Sequence, residues 1–162
     1  ADDFDEMARQ AYLISGWGDN VYIKVPITNT NGESSVPLIE ELTMHGMKLN
    51  VTAITTEQQV NSLPIASSPM IISIFAGRIA DTGIDPIPTM TKIKKFGAEL
   101  LWASPREVLN IYQAEQAGVD IITCTPDLIA KYEKLKGKDL MEYSLETVKM
   151  FYEDGKKAGF KL

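Results

Sequence analysis

The chain has few of the residues that build most catalytic and redox centres. Of its 162 residues, one is a cysteine, Cys124, and one is a histidine, His45. A lone cysteine excludes an intrachain disulfide and a cysteine-based metal framework. His45 falls in the last turn of an expected helix, where an exposed structural residue is the plain reading; this leaves no Ser-His-Asp or Cys-His apparatus and no His-rich zinc site. Basic residues are too few to make a nucleic-acid surface: 16 Lys and Arg face 22 Asp and Glu, a net charge of −6. No apolar run is long enough to span a membrane and no signal-peptide pattern is present, so neither a nucleic acid nor a membrane is an expected partner, and a cytoplasmic location is expected. Neither G-x-G-x-x-G nor a P-loop follows any apolar run. Any chemistry must come from Lys, Asp, Glu, Tyr, Ser, Thr or Arg.

The rest of the composition is that of an ordinary globular protein, 44% hydrophobic and 23% charged. Its length suffices for one domain, residues 1–162, with a real core. The stretch N-V-Y-I-K-V-P-I-T at 20–28 reads as a strand with a lysine in it. A period of two puts Val21, Ile23 and Val25 on one face and Tyr22 and Lys24 on the other. A buried ammonium is costly unless it is paired or loses its proton. Lys24 is therefore at a sheet edge, paired, or used as an amine.

Helices are expected at 2–15, about 36–45, 56–63, about 88–96, from Pro105 to Gly118, from Pro126 to about 136, and at about 139–155. The first carries its stripe on Phe4, Met7, Ala8, Ala11 and Tyr12. The helix after Pro105 carries one on Val108, Ile111 and Tyr112, with Ser104-Pro105 as N-cap and first-turn pair. The last is expected to pack through Met141, Leu145, Val148 and Tyr152. Strands are expected at 20–27, 48–55, 70–76, 99–104 and 119–124, with the third running into a loop that holds D-T-G-I-D-P. Five strand–helix units in succession imply a parallel α/β sheet with right-handed crossovers.

Two α/β folds compete, an open doubly wound sheet and a (β/α)8 TIM barrel. Each strand mixes an apolar face with one that holds polar groups: Lys24, then Asn50 and Thr52, then Ser73, then Ser104. A central strand buried on both sides would be more uniformly apolar, and polar groups at successive strand ends suit a barrel mouth. A barrel needs eight units and this chain has five, preceded by a helix without a strand. The expectation is that it holds the last five βα units and a C-terminal helix, with about three strands missing from its N-terminal side.

Several residues could carry chemistry. Lys24 could form a Schiff base with a sugar carbonyl, since lysines in desolvated sites are activated as amines; the strand taken alone favours an edge lysine that discourages aggregation. Asn50 and Thr52 share a face with Ile54 and could bond a substrate hydroxyl or a water, or be satisfied internally. Arg78 has the fork geometry for a phosphate, or could pair with Asp81 or Asp85. Ser104 and Arg106 stand at the end of the next strand. Phe75 and Trp102 add apolar bulk, and Cys124 reads as a buried small residue. Asp81 and Asp85 are weak metal ligands, and no metal is expected. The run from Lys131 to Lys138 reads as a solvated face.

Together these residues resemble the transaldolase family. The lysine strand is similar to its K-[IV]-P-x-T pattern in Lys24-Val25-Pro26-Ile27-Thr28. Asn50-Val51-Thr52 resembles its N-x-T, and Phe75-Ala76-Gly77-Arg78-Ile79 its F-x-G-R-I. Asp81 to Asp85 resembles its D-x-G-x-D loop, Ala103-Ser104-Pro105-Arg106 its A-S-x-R, and Thr123 with Thr125-Pro126-Asp127 is similar to its T-x-P-D-like residues. The resemblance implies a TIM barrel without a cofactor and a class I aldol mechanism: Lys24 as Schiff-base amine, Asn50 and Thr52 beside it and the catalytic water, Arg78, Ser104 and Arg106 for phosphate. Phe75 stands where family members that cleave fructose 6-phosphate usually have Tyr, and so favours transfer of a dihydroxyacetone unit over free cleavage. Phosphorylated sugars are the implied substrates and a homo-oligomer the implied assembly. The family completes its site with an Asp, an Asn and a Glu or Gln from three earlier strands. None stands ahead of Lys24 in a strand here, so little or no turnover is expected of this chain by itself. Pro105 and the loop at 29–35 depart from the family pattern.

Overall fold

Among the described residues, five short strands form one parallel sheet in a computed structural model that describes residues 1–65, 68–93 and 97–160. They are β1 (Ile23–Pro26), β2 (Leu49–Ile54), β3 (Met70–Ile74), β4 (Glu99–Trp102) and β5 (Ile121–Ile122), ordered β1-β2-β3-β4-β5. That order never reverses, so the sheet has no switch point of the doubly wound kind. Right-handed crossovers in one direction place the connecting helices on one face. The expected α/β parallel sheet is present.

The helices are α1 (Phe4–Ser15), α2 (Val36–Met44), α3 (Glu57–Asn61), α4 (Ala76–Asp81), α5 (Ile87–Lys92), α6 (Leu109–Gln116), α7 (Pro126–Leu135) and α8 (Leu140–Ala158). The chain divides into two compact units, residues 1–125 and 126–162. In the first, Ile23, Val25, Leu49, Val51, Ile54, Met70, Ile72, Ile74, Leu100 and Trp102 join Leu38, Ile39 and Leu42 of α2 in the main core. Full burial of a Leu or Ile side chain is worth about 1.5–3 kcal/mol, which is why the strands need so little length to hold. Local chemistry sets the helix starts. The Asp3 carboxylate accepts the Glu6 N–H at 2.9 Å ahead of α1, and Thr56 and Gln59 form a capping box ahead of α3.

Several sequence expectations are corrected. The segment after β3 is the short helix α4, not a loop; six residues containing a glycine show no helical period to read. The helix expected at Pro105 begins four residues later, because Ser104 adopts a left-handed backbone (φ 60°) that cannot serve as its N-cap. Its buried face is Asn110 and Ala114, whereas Tyr112 is exposed. The fifth strand is only two residues long. The fourth expected helix covers 87–92, and residues 94–96 of the expected range lie outside the described residues. Cys124 is half-buried rather than buried, and burial pushes its thiol up. In the second unit α8 buries none of its residues, so Met141, Leu145, Val148 and Tyr152 stand exposed instead of packed. No helix among the described residues is long and apolar enough to cross a membrane.

Candidate active site

The sheet face away from the main core carries the polar residues. Lys24 on β1 is in register with Asn50 on β2, and Pro26 with Thr52. Lys24 is exposed on an outer strand of the sheet, with no hydrogen bond or ion pair to any other described residue. The Asn50 side-chain oxygen accepts a 2.6 Å hydrogen bond from the hydroxyl of Ser73, which is buried on β3. The Thr52 hydroxyl is enclosed and has no partner among the described residues. Such an unsatisfied hydroxyl costs about 1–3 kcal/mol, and a substrate hydroxyl or a water would relieve that cost. A small apolar cluster of Ile71, Leu101 and Ala103, with Tyr22, Phe75 and Ile121 against it, floors the same face.

Thr52 ends the open stretch of β2 because a bulge follows it. Val51 pairs with Ile72 and Ile54 with Ile74, so three steps on β2 match two on β3. Ala53 absorbs the extra residue with a φ of 64°. Ile54 is thereby turned into the main core, correcting the expectation that it shares a face with Asn50 and Thr52.

The next two strand ends are locked together. Phe75 N–H donates to the Ile54 carbonyl at 2.8 Å, Ala103 N–H to Ile74 at 2.8 Å, and Gly77 N–H to Ala103 at 3.2 Å. A Cβ on Gly77 would lie 1.6 Å from the Ser104 carbonyl oxygen, so only glycine lets the β4 end approach α4 this closely. Arg78, one residue on, is exposed and lays its guanidinium over the Phe75 ring at 5.3 Å from the centroid.

Arg106 is held from both ends. Its backbone N–H donates to the buried Asn110 side-chain oxygen at 2.7 Å. Its guanidinium clasps Asp81, with Nη2 at 2.7 Å and Nε at 3.2 Å from Oδ2. That hydrogen bond, with the charge of Arg106 and then of Arg78, holds the Asp81 carboxyl below the usual carboxylate range. Asp81 therefore pairs with Arg106, not with Arg78. Asp85 instead accepts the Ile87 N–H at 3.0 Å.

The geometry thus brings Lys24, Asn50 and Thr52 onto one face of adjacent strands, and Phe75, Arg78, Ser104 and Arg106 to the following strand ends. Asn110 and Ala53 escaped the sequence reading. An asparagine inside an expected helix was the available signal for the first, since asparagine side chains there compete for backbone groups; nothing in the sequence marks the second. A cavity of about 380 Å3 lined by Tyr12, His45 and Lys48 lies at the opposite ends of β1 and β2 and touches none of these residues. Among the described residues no three His, Cys, Asp or Glu side chains converge as a metal site would require.

The family model described as Transaldolase/Fructose-6-phosphate aldolase matches residues 1–162, and the chain belongs to that family. A protein named probable transaldolase in Chelativorans sp. (strain BNC1) is 33% identical over 166 residues, 99% of this chain and 71% of that protein. One of the same name in Brucella ovis is 30% identical over 168 residues, 100% of this chain and 72% of its own length. A probable transaldolase 2 of Listeria monocytogenes is 32% identical over 133 residues, 78% of this chain and 59% of that protein.

Proposed function

We propose that this chain carries the amine and the phosphate-binding residues of a class I aldol transfer within a (β/α)8 barrel. The observation that carries the reading is Lys24, unpaired and in register with Asn50, on the face where Thr52 keeps an unsatisfied hydroxyl. The Lys24 amine adds to the ketose carbonyl, and loss of water gives an iminium. The hydroxyl on the second carbon from the iminium gives its proton to water, the bond between the first and second carbons breaks, and its electron pair passes to the iminium; this releases an aldehyde and leaves a dihydroxyacetone enamine on Lys24. The enamine attacks an acceptor aldehyde, and hydrolysis of the new iminium frees the product and the lysine. Asn50 bonds the hydroxyls beside the reacting carbon, and Thr52 holds the water.

Arg78, Ser104 and Arg106 take the substrate phosphate. The strands that carry Lys24 and lead to Arg78 are two spacings apart, about 10 Å, a separation comparable with the extended length of a six-carbon sugar phosphate. No cofactor takes part. Phe75 favours transfer, and cleavage of fructose 6-phosphate to free dihydroxyacetone is the alternative. The exposed apolar residues of α8 support a homo-oligomer, which sedimentation velocity reads directly.

Borohydride trapping tests the reading, because it asks for carbonyl capture and not for turnover. Fructose 6-phosphate should leave a reduced adduct on Lys24 in the peptide mass map, and Lys24→Met should abolish it. Absence of any adduct at saturating sugar sinks the proposal. Erythrose 4-phosphate added before the borohydride should discharge the enamine from Lys24 and leave little adduct to reduce, and buffer alone should not, which separates transfer from cleavage.

A further inference from the structure

Two cationic groups stand at the ends of β3 and β4, yet they are not equivalent. Arg78 lies over an aromatic ring, and its guanidinium makes no hydrogen bond or ion pair with another described residue. Arg106 has its Nε–Nη2 edge filled by a carboxylate of the same chain. A guanidinium fork presents that edge to carboxylate and phosphate alike. We infer that Asp81 is a specificity-determining residue: it competes with substrate phosphate for Arg106, and so sets how strongly the site prefers a phosphorylated over a non-phosphorylated sugar. The inference rests on the reading of Arg78, Ser104 and Arg106 as the phosphate residues.

Three features favour exchange over a permanent pair. The side chains of Arg106 and Asp81 are each 51% exposed, so water and salt weaken their attraction. The Arg106 backbone is fixed independently, through its N–H and that of Glu107 to Asn110 at 2.7 and 3.0 Å, so the side chain can change partner while the loop stays. Asp81 closes α4 three residues after Arg78, so its charge lies beside both cations and opposes any anion that approaches them.

Inorganic phosphate is the probe, its dissociation constant measured calorimetrically on the full chain at fixed ionic strength. Asp81→Asn should tighten phosphate binding about two- to fivefold, the range that an exposed ion pair supports. Arg106→Gln should weaken binding, and in that background Asp81→Asn should give little further gain. In the trapping assay, Asp81→Asn should lower the half-saturating concentration of fructose 6-phosphate and leave that of fructose unchanged. Asp81→Ala, checked for native circular dichroism, should act in the same direction. Unchanged or weaker phosphate binding in both Asp81 variants, with Arg106→Gln still harmful, overturns the competition. If neither Arg78→Gln nor Arg106→Gln alters phosphate binding, the phosphate assignment itself fails and takes the inference with it.

Discussion

Gly77→Ala is the smallest change that strikes the site end of the sheet without touching a reactive group. The added carbon would stand 1.6 Å from the Ser104 carbonyl oxygen and 2.6 Å from its carbon, both backbone atoms. To reach even the shortest tolerated contact, the β4 end must retreat by more than about 1 Å, the kind of overpacking that costs about 1–3 kcal/mol. The retreat also stretches the Gly77 N–H bond to the Ala103 carbonyl, already 3.2 Å long, at about 1 kcal/mol. Against this, replacing a helical glycine with alanine gains about 1 kcal/mol. The steric terms win, and the net loss is about 1–3 kcal/mol.

Gly155→Ala is the matched control: it is also helical, in α8, and nothing stands within 4 Å of its added carbon. That variant should be stabilised by about 0.5–1 kcal/mol, since only the helix gain remains. Urea unfolding followed through tryptophan fluorescence reads the first unit, because both indoles lie there and that of Trp102 is fully buried on β4; far-UV circular dichroism sums the helices, of which α8 is the longest described. Gly77→Ala should also weaken phosphate binding, because Arg78 adjoins the displaced segment. A Gly77→Ala chain as stable as the parent would refute the steric argument and show that the two strand ends yield freely.

Two further outcomes follow from the backbone and the pH dependence. Ala53 holds a left-handed backbone, which costs a side-chain-bearing residue about 1–2 kcal/mol; Ala53→Gly should stabilise the first unit by up to about 1 kcal/mol after its own entropy penalty, and a urea midpoint below that of the parent would contradict the bulge assignment. Arg9, then Gln10, holds the Glu6 carboxyl down to about 2 from its ordinary 4.5, and the Thr30 hydroxyl, then its N–H, lowers Asp2 from 3.8. Both folded values lie below the unfolded ones, so these contributions are complete above the ordinary values and vanish as pH falls through the folded ones. The Thr30 amide resonance should therefore shift only as pH falls below the ordinary 3.8 of Asp2, and a flat profile there would remove the Asp2 contact.

The alternation of β1 and of the first part of β2 was legible because a period of two is a strong signal wherever one face is buried. Lys24, Asn50 and Thr52 were placed on their strands that way. Ile54 was misplaced because a bulge changes the period without any residue type to announce it. The start of α6 was misplaced because Pro105 reads as a helix opener, whereas Ser104 turns left-handed and Asn110 occupies the N–H groups a first turn would leave. The pairing of Asp81 with Arg106 spans 25 residues and two strand ends, so no local pattern could choose it over Arg78. The stripe on α8 was read correctly as apolar, but apolarity does not say what covers it, and α8 buries none of it.

These departures from regular geometry lie at the C-terminal ends of β2, β3 and β4, and each one aims a candidate residue. The bulge at Ala53 returns Ile54 to the core, so Thr52 is the last side chain of β2 on the polar face. The bare Cα of Gly77 admits the Ser104 carbonyl, which fixes how far Arg78 stands from the β4 end. The left-handed turn at Ser104 sends the chain back past Asp81, which is why Arg106 reaches a carboxylate on α4. Strain of this kind persists only where the surrounding contacts over-determine it. Here they do: the Phe75, Gly77 and Ala103 N–H groups tie α4 and the β3 end to β2 and β4 on either side. Position along the strand chooses the amine and its neighbours, and irregular backbone chooses where the guanidinium groups stand. Substitutions at Gly77 and Ser104 should therefore alter phosphate recognition before they alter carbonyl capture at Lys24, whereas a substitution at Ala53 acts first on Thr52.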